Sequence, residues 1–569
     1  MPSHNLWLFT LTICQVNSQM WSLAAHARAC QCDFALLTDC GTVFDKKFLF
    51  FMMEPMLRDE NIGVTTGSQA CMSAVHQGCG ELEWWHKPGD FILRQIQVYD
   101  FASSRTVLKS LYNRLGFLPV IPGPCGLYRY SMLGILESRG VMQKYFELNF
   151  RQLKSSDLVL GNTQLAEDRF PGNLLTFQSK IQCKEQNLPK CPRVQFIPDA
   201  IFSCEAELPL SALVKQRRRW NNGMIFSAVW FLSADWLLSS NHSVIFKTIV
   251  YLSSTIESIL GPLFFAVLVP PIIACSFFGI TSGFVLGDFK TAYENPVEDE
   301  FDLNALSLST MLPSVIYMII YIIFVIVHIP RAVKVKQEKS DTSNLDQDLE
   351  EANMSSSNKH LCEWRADRQS AYRPRLWKLA IFANIIAGLI VTPWLIISIM
   401  YHMDNVPLLP WMLGISYLAI LAAFLDGILN YKTPTMKHFF DFALRVPFMF
   451  CFGIFFAMSW MQSYSFARIS DLSWGNRDGA HEQNSNSKVA KQRAHLGKIV
   501  ALTLLFMNVI TFTGLMYWST TNPFAFMYAI LLATAPTNTM IVIHSCASIV
   551  HGLYTIWMLV TTLFSSLKC

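Results

Sequence analysis

Leu36 to Thr42 reads LLTDCGT, an apolar run that ends in Asp39 and then a glycine. A carboxylate placed this way sits at the carboxyl end of a strand, where open α/β sheets bind ligands. It can hold Mg²⁺ or Mn²⁺ against a substrate diphosphate, because hard cations take oxygen ligands. It is equally a turn aspartate that follows any strand. Further along, LAEDRF places Glu167 and Asp168 side by side ahead of Arg169. Such a pair supplies a general base for a hydroxyl, or simply opens a solvated helix. The third stretch is QRRRW, Gln216 to Trp220. Guanidinium forks match phosphate oxygens with paired hydrogen bonds. An indole face suits the C–H surface of a sugar, and a glutamine bonds its hydroxyls. The plainer reading is the basic flank of a membrane helix.

The chain around these residues is unusually apolar. Of its 569 residues 52% are hydrophobic and 15% charged, with a mean hydropathy of +0.31. That composition excludes an ordinary soluble protein. A net charge of +4 does not point to a nucleic-acid partner. The first 20 residues have neither the basic start nor the apolar run of a signal peptide. Fifteen cysteines lack paired spacing, Cys30 and Cys32 being the nearest pair. They read as reduced thiols, not zinc ligands or a disulfide frame.

Two regions follow from the pattern. Residues 1–240 alternate short apolar runs, such as Phe34 to Thr38 and Val194 to Pro198, with helix-like stretches such as Val107 to Leu115. This alternation predicts an α/β domain. From 246 to 569 long apolar stretches predict an all-α membrane domain. Six crossings are expected: one within 249–286, then 309–329, 379–401, 408–430, 498–518 and 541–563. Pro270-Pro271 could break the first into a hairpin, so charge decides. The loop 330–377 is rich in Lys and Arg, from Arg331 to Arg375, whereas the loop before 309 is acidic. Counting Lys and Arg puts the basic loop in the cytosol, and a single crossing before 287 places the α/β domain there too. Val446 to Trp460 and Pro523 to Thr534 are short or interrupted and read as interfacial or re-entrant. Gln337 to Lys359 reads as disordered. The sequons at Asn241 and Asn353 fall on the cytosolic side, so neither should carry glycan; glycan on Asn353 would overturn this topology.

Asp39, Glu167-Asp168-Arg169 and Gln216–Trp220, in that order, resemble the motifs of processive family 2 glycosyltransferases, and the forms EDR and QRRRW resemble chitin synthases. NSQMW at Asn17 to Trp21, PGPCGLYRY at Pro122 to Tyr130, FIPDAIFSCEAELP and DLSWGNRDG at Asp471 to Gly479 resemble further stretches of that family. The resemblance implies a GT-A-like cytosolic domain, present in part, ahead of a transmembrane channel. It implies transfer of N-acetylglucosamine from UDP-GlcNAc to a growing β-1,4 chitin chain, at the plasma membrane. In that scheme Asp39 binds Mg²⁺ or Mn²⁺. Asp168, beside Glu167, is the catalytic base. Gln216 and Trp220 hold the acceptor sugar, Arg218 and Arg219 neutralise the diphosphate, and Arg129 and Tyr130 bind substrate. Ser473, Trp474 and Gly475 belong to a switch loop within 467–497. UDP-GlcNAc, the chitin chain and the lipid bilayer are the implied partners, and a homodimer is left open.

The likeness has departures. The family carries about a hundred or more residues before the NSxxW stretch, including the first strands and an acidic residue for uracil, whereas sixteen residues precede Asn17 here. The chain therefore reads as amino-terminally truncated, with an exposed sheet edge. GVTTGSQACM at Gly63 to Met72 is a blurred version of a family segment, and Asn476 stands where threonine is usual. Two other readings compete. A hyaluronan synthase is disfavoured by QRRRW and WGNRDG. A multi-pass transporter draws on Glu257 and Asp426 in or near apolar segments. Trp394, Trp411 and Tyr417 would suit either a polysaccharide path or an interfacial belt.

Overall fold

In the computed structural model the described residues are chiefly 6–9, 32–39, 41–72, 88–104, 116–132, 157–177, 193–233, 242–285, 308–330, 332–335, 363–366, 372–402, 459–472 and 487–521. They form an amino-terminal mixed β/α domain followed by four helices long and apolar enough to span a membrane.

A six-stranded sheet organises the first domain. Its strands are β1 (Leu6–Phe9), β2 (Phe34–Leu37), β3 (Val43–Phe44), β4 (Ile62–Cys71), β5 (Gly126–Arg129) and β6 (Arg193–Cys204), in the order β1-β2-β5-β4-β6-β3. β1, β2, β4 and β6 run one way, β5 and β3 the other. The carboxyl ends of β2, β4 and β6 therefore share one edge with the start of β5. Alternation along β2 sends Phe34 and Leu36 to one core with helix α1 (Phe48–Arg58), and Ala35 to the other. The second core gathers Tyr128, Phe170, Phe177, Phe196 and Phe231.

β4 is the central strand that hydrophobicity does not announce. Thr65, Thr66 and Ser68 are fully buried there. Their hydroxyls donate to the carbonyls of Met52 at 3.1 Å, Cys125 at 2.8 Å and Pro198 at 2.7 Å, so burial leaves none of them wanting. The β4–β6 register slips between Gly67 and Ser68, where β6 bulges through Pro198 and Ala200. A side chain at Gly67 would meet the Ala200 carbonyl oxygen at 2.2 Å, so only glycine lets the two backbones approach.

Helix α2 (Pro88–Ser103) covers the sheet near the end of β4. Helix α3 (Leu158–Thr163) leads into a 3₁₀ turn, Gln164–Arg169, and then α4 (Phe170–Phe177). Helix α5 (Leu210–Ser233) follows β6 and carries QRRRW.

One helical run then extends from Val244 to Val285. It comprises α6 (Val244–Thr255, capped by the Ser243 hydroxyl), a π-turn at Ile256–Leu260, α7 (Gly261–Val267) and α8 (Val269–Val285). Its apolar span, Val244–Thr281, has 38 residues. At about 1.5 Å per residue this exceeds the roughly 30 Å of a bilayer core. The surplus is α6, which packs Phe246 and Val250 into the second sheet core. The run is interrupted only at Leu268, where the backbone stays near helical (φ −94°, ψ −39°), and it continues through Pro270 without folding back as a hairpin. The other spans lie in α9 (Leu308–His328), α10 (Pro374–His402) and α12 (Ser487–Thr521). They match three expected crossings. The segments 523–534 and 337–359, Asn241, the Asn353 sequon, most of 446–460 and all but one residue each of 408–430 and 541–563 lie outside the described residues. Between α9 and α10, β7 (Ala332–Val335) pairs with β8 (Glu363–Ala366). A short helix, α11 (Met461–Ala467), inserts among the spans.

Hydrogen bonds join the four spans at their centre. Trp460 Nε1 donates to Tyr317 Oη at 2.8 Å, and Tyr317 Oη to Asn384 Oδ1 at 3.2 Å. Tyr321 Oη donates to Ser463 Oγ at 2.9 Å, and Asn508 Nδ2 to the Ala266 carbonyl at 3.2 Å. Phe324, Trp377, Trp460 and Tyr464 fill the space around them. Glu257 accepts from Tyr112 Oη at 2.6 Å, against the sheet domain. Among the described residues, Cys71, Cys125, Cys204 and Cys275 are in no disulfide.

Candidate functional site

The carboxyl edge of the sheet is where the separate motifs meet. Asp39 follows β2, and its neighbours include Asp168 from the 3₁₀ turn and Arg219 from α5. The Asp39 side chain remains open to solvent although protein crowds it on most sides, which describes a group on a cleft wall. That crowding raises its pKa above the usual carboxylate range; Arg219 opposes the shift and Asp168 adds to it.

Asp168 is placed by the kink at Ala166, where φ is −138° and ψ 56° inside the turn. Gly223 of α5 lets Ala166 approach closely, since a Cβ on Gly223 would lie 2.5 Å from Ala166 Cβ. The Asp168 carboxylate accepts the Gly123 backbone N–H, at the start of β5. Burial raises its pKa, against the pull of Arg169 and then Arg219. Burial likewise lowers the pKa of Arg169 and raises that of Tyr128, with Asp168 a further cause of the latter. Glu167 occupies the same turn.

α5 distributes its five motif residues by helical period. Consecutive residues lie about 100° apart, so Arg218 and Arg219 cannot face the same ligand from one helix side. Arg219 faces the two carboxylates. Arg218 is buried, and its guanidinium pairs with Asp471. Arg217 pairs with Asp100 and lies 4.5 Å from the Trp220 ring centroid, which packs beside Phe101 at 6.5 Å. Gln216 Nε2 donates to Glu207 Oε1 at 3.5 Å, while its Oε1 is buried without a partner among the described residues. The Glu207 loop is itself pinned by Gln97, which exchanges two hydrogen bonds with the Glu207 backbone at 2.9 and 3.0 Å.

The structure thus brings together Asp39, Asp168 and Arg219, with Gln216 and Trp220 on the helix that bears Arg219. Arg129 and Tyr130 are elsewhere. Phe34 pairs with Arg129 and Leu37 with Gly126, so Asp39 lies past the opposite end of β5 from Arg129. Arg129 donates to the carbonyls of Ile62 at 3.1 Å, Asp59 at 3.2 Å and Met56, closing the end of α1. The Tyr130 N–H donates to the Asp33 carbonyl at 2.9 Å. Arg129→Ala is accordingly expected to cost about 3 kcal/mol of stability, through orphaned carbonyls, with unchanged UDP affinity. Thermal unfolding beside UDP titration checks both. Ser473, Trp474 and Gly475 lie outside the described residues.

Residues near Asp39 that sequence reasoning passed over are Thr42, Gln69 and Cys204. The Cys204 thiol, pushed up to about 12 by burial, accepts from Thr42 and, at 3.8 Å, from Gln69. The register that aligns Cys71 with Cys204 was the missing signal. Among the described residues no cluster of three or more His, Cys, Asp or Glu is present. A Mg²⁺ or Mn²⁺ ion is nonetheless compatible with the donor set. Such ions bind through one or two carboxylates plus substrate phosphates, and Asp39 offers an open one.

Residues 11–234 match the model of a chitin synthase-like glycosyltransferase domain. Chitin synthase A of Ampelomyces quisqualis is 26% identical over 257 residues, which cover 43% of this chain and 25% of that protein. Chitin synthase 1 of Phytophthora sojae is 26% identical over 217 residues, 38% of this chain and 21% of the relative. Chitin synthase 3 of Verticillium dahliae is 25% identical over 258 residues, 43% and 26%. The matched part spans about a quarter of the length of these relatives.

Proposed function

We infer, from the chitin synthase-like glycosyltransferase domain at residues 11–234, that this membrane protein transfers N-acetylglucosamine from UDP-GlcNAc to a β-1,4 chitin chain. The first domain, 1–240, is then GT-A-like and faces the cytosol. The observation that carries the reading is that Asp39, Asp168 and Arg219, from three separate elements, lie near enough for their charges to act on one another. QRRRW lies in the first half of helix α5 (Leu210–Ser233), the last described element before the apolar spans.

In this reading the acceptor's 4-hydroxyl gives its proton to Asp168 as its oxygen bonds to the anomeric carbon. The bond from that carbon to the diphosphate breaks on the opposite face, so configuration inverts. Burial of Asp168 favours this role, because a base whose pKa is raised from the carboxylate range accepts a proton more readily. Arg219 stabilises the diphosphate as it leaves. A divalent cation held by Asp39 would supply charge neutralisation at the same oxygens. Gln216 offers its unpartnered Oε1 to a sugar hydroxyl, and Trp220 its face to the ring. Plasma-membrane placement, passage of the polymer through the helices, and gating by Ser473, Trp474 and Gly475 belong to the same proposal.

The test is radiolabelled UDP-GlcNAc supplied to the full chain in lipid. Insoluble label that chitinase releases is the expected product. Label released by hyaluronidase instead would favour the competing synthase. A chain that neither binds UDP nor incorporates label, beside an active relative, overturns the reading.

A further inference from the structure

A buried ion cluster that the proposed chemistry does not use touches α5 and, through its own turn, α3. Arg218, Arg468 and Asp471 are all nearly inaccessible to solvent, at 2%, 1% and 4% exposure. Asp471 Oδ2 accepts from Arg468 Nε at 2.9 Å and Nη2 at 2.6 Å, and it pairs with Arg218 from α5. Arg468 Nη1 reaches the His328 carbonyl at 3.4 Å, at the end of the α9 span. The Arg468–Leu472 turn also grips α3. Asn162 Nδ2, fully buried, donates to the Ile469 carbonyl at 2.9 Å. Gly161 is kept small by Leu472, whose Cδ1 would lie 2.5 Å from a Cβ there. On the other side, α11 holds α5 through Asn221 Nδ2 to Ser465 Oγ at 3.2 Å and Asn222 Nδ2 to the Ser465 carbonyl at 2.9 Å.

α3 runs directly into the turn that carries Asp168, and α5 carries Arg219 and Trp220. One short turn between the third and fourth described spans therefore fixes both the proposed base and the proposed acceptor platform. A charge cluster suits this task better than apolar contact. Its ion pairs have a definite direction, and no water is at hand to replace a partner. We propose that Asp471, held by Arg218 and Arg468, is a positioning residue: it sets the distance between the Asp168 turn and the QRRRW helix and ties both to the membrane end of α9. This rests on the transferase reading above, and it gives Arg218 a task other than binding diphosphate.

The experiment compares the full chain with Asp471→Asn, which keeps shape and removes charge. Three quantities are measured: UDP affinity, sugar transferred, and sugar lost to water per UDP released. The expected result is transfer lower by about 10²-fold, the scale of a 1 Å misplacement, with unchanged UDP affinity and more sugar lost to water. A merely structural role would lower yield or thermal stability, but folded protein would keep its partition between acceptor and water. Transfer within about twofold of the parent chain overturns the inference and leaves the transferase reading standing. Should Asp471→Asn fail to fold, Asn162→Ala removes the amide that donates to the Ile469 carbonyl and, within α3, to the Leu158 carbonyl, and is expected to lower transfer by about tenfold; unchanged transfer there counts equally against the proposal. A parent chain that binds UDP but transfers nothing overturns the transferase reading instead. Amide hydrogen exchange then judges the cluster: Asp471→Asn or Asn162→Ala must loosen 158–169 together with 461–472. Loosening confined to 461–472 overturns the inference.

Discussion

Asp168→Asn is expected to lower sugar transfer by about 10³-fold, while UDP affinity stays near that of the parent chain. The substitution keeps the shape of the side chain and its acceptor oxygen for the Gly123 N–H. What it removes is the site that takes the hydroxyl proton. The pH profile gives a second, independent readout. Burial raises the Asp168 pKa against the pull of Arg169 and Arg219. A base works only when deprotonated, so activity rises with pH through that raised pKa and is lost below it. The acid limb should therefore sit above the range of an exposed aspartate. In the Asn variant the residual rate should lose that limb. Transfer retained at the parent level, or an unchanged limb, removes Asp168 from the role.

Arg219→Ala is expected to lower kcat/KM by about 10²- to 10³-fold, the scale of deleting one preorganised donor to a developing anion. A shift in pH dependence comes with it. Arg219 lowers the pKa of both Asp39 and Asp168. Without it each carboxylate keeps its burial penalty and loses a cation, so both protonate more readily. The acid limb moves to higher pH, the opposite of what loss of a neighbouring anion would do. Arg219→Lys restores charge without the planar fork, so it should recover the limb more fully than the rate. Equal kcat/KM in the parent and Arg219→Ala chains would show that this guanidinium does not meet the diphosphate.

The membrane half was legible where composition alone decides. The runs 309–329, 379–401 and 498–518 became spans because an apolar stretch of that length has few other stable states. The single crossing before 287 followed from counting basic residues, and the helical run continues past the prolines without turning back. In the sheet domain, β2 showed itself as a run buried on both sides. β4 did not, because Thr65, Thr66 and Ser68 satisfy their hydroxyls on carbonyls that only the folded sheet brings near. Within the candidate site the motifs were readable, but their partition was only half so. The helical period already separates Arg218 from Arg219. Which of the two meets the cleft depends on Asp471, a residue whose partners lie far away in order. Arg129 shows the reverse difficulty. A basic residue beside a tyrosine suits a sugar in sequence, yet strand direction carries it to the far end of β5.

The π-turn at Ile256–Leu260 has a consequence for anyone exchanging the membrane half with that of a relative. Such a turn holds one extra residue, and each residue turns an α-helix by about 100°. Deleting one position there turns the bulge back into ordinary α-helix, whereas deleting one in the regular turns beside it would swing α7 and α8 around their axis by more than a quarter revolution. The face of α8 that now meets α9 and α12 would then address lipid. A chimera spliced at this joint therefore works only if its donor keeps the same phase, whereas a seam placed before Val244 leaves the phase intact.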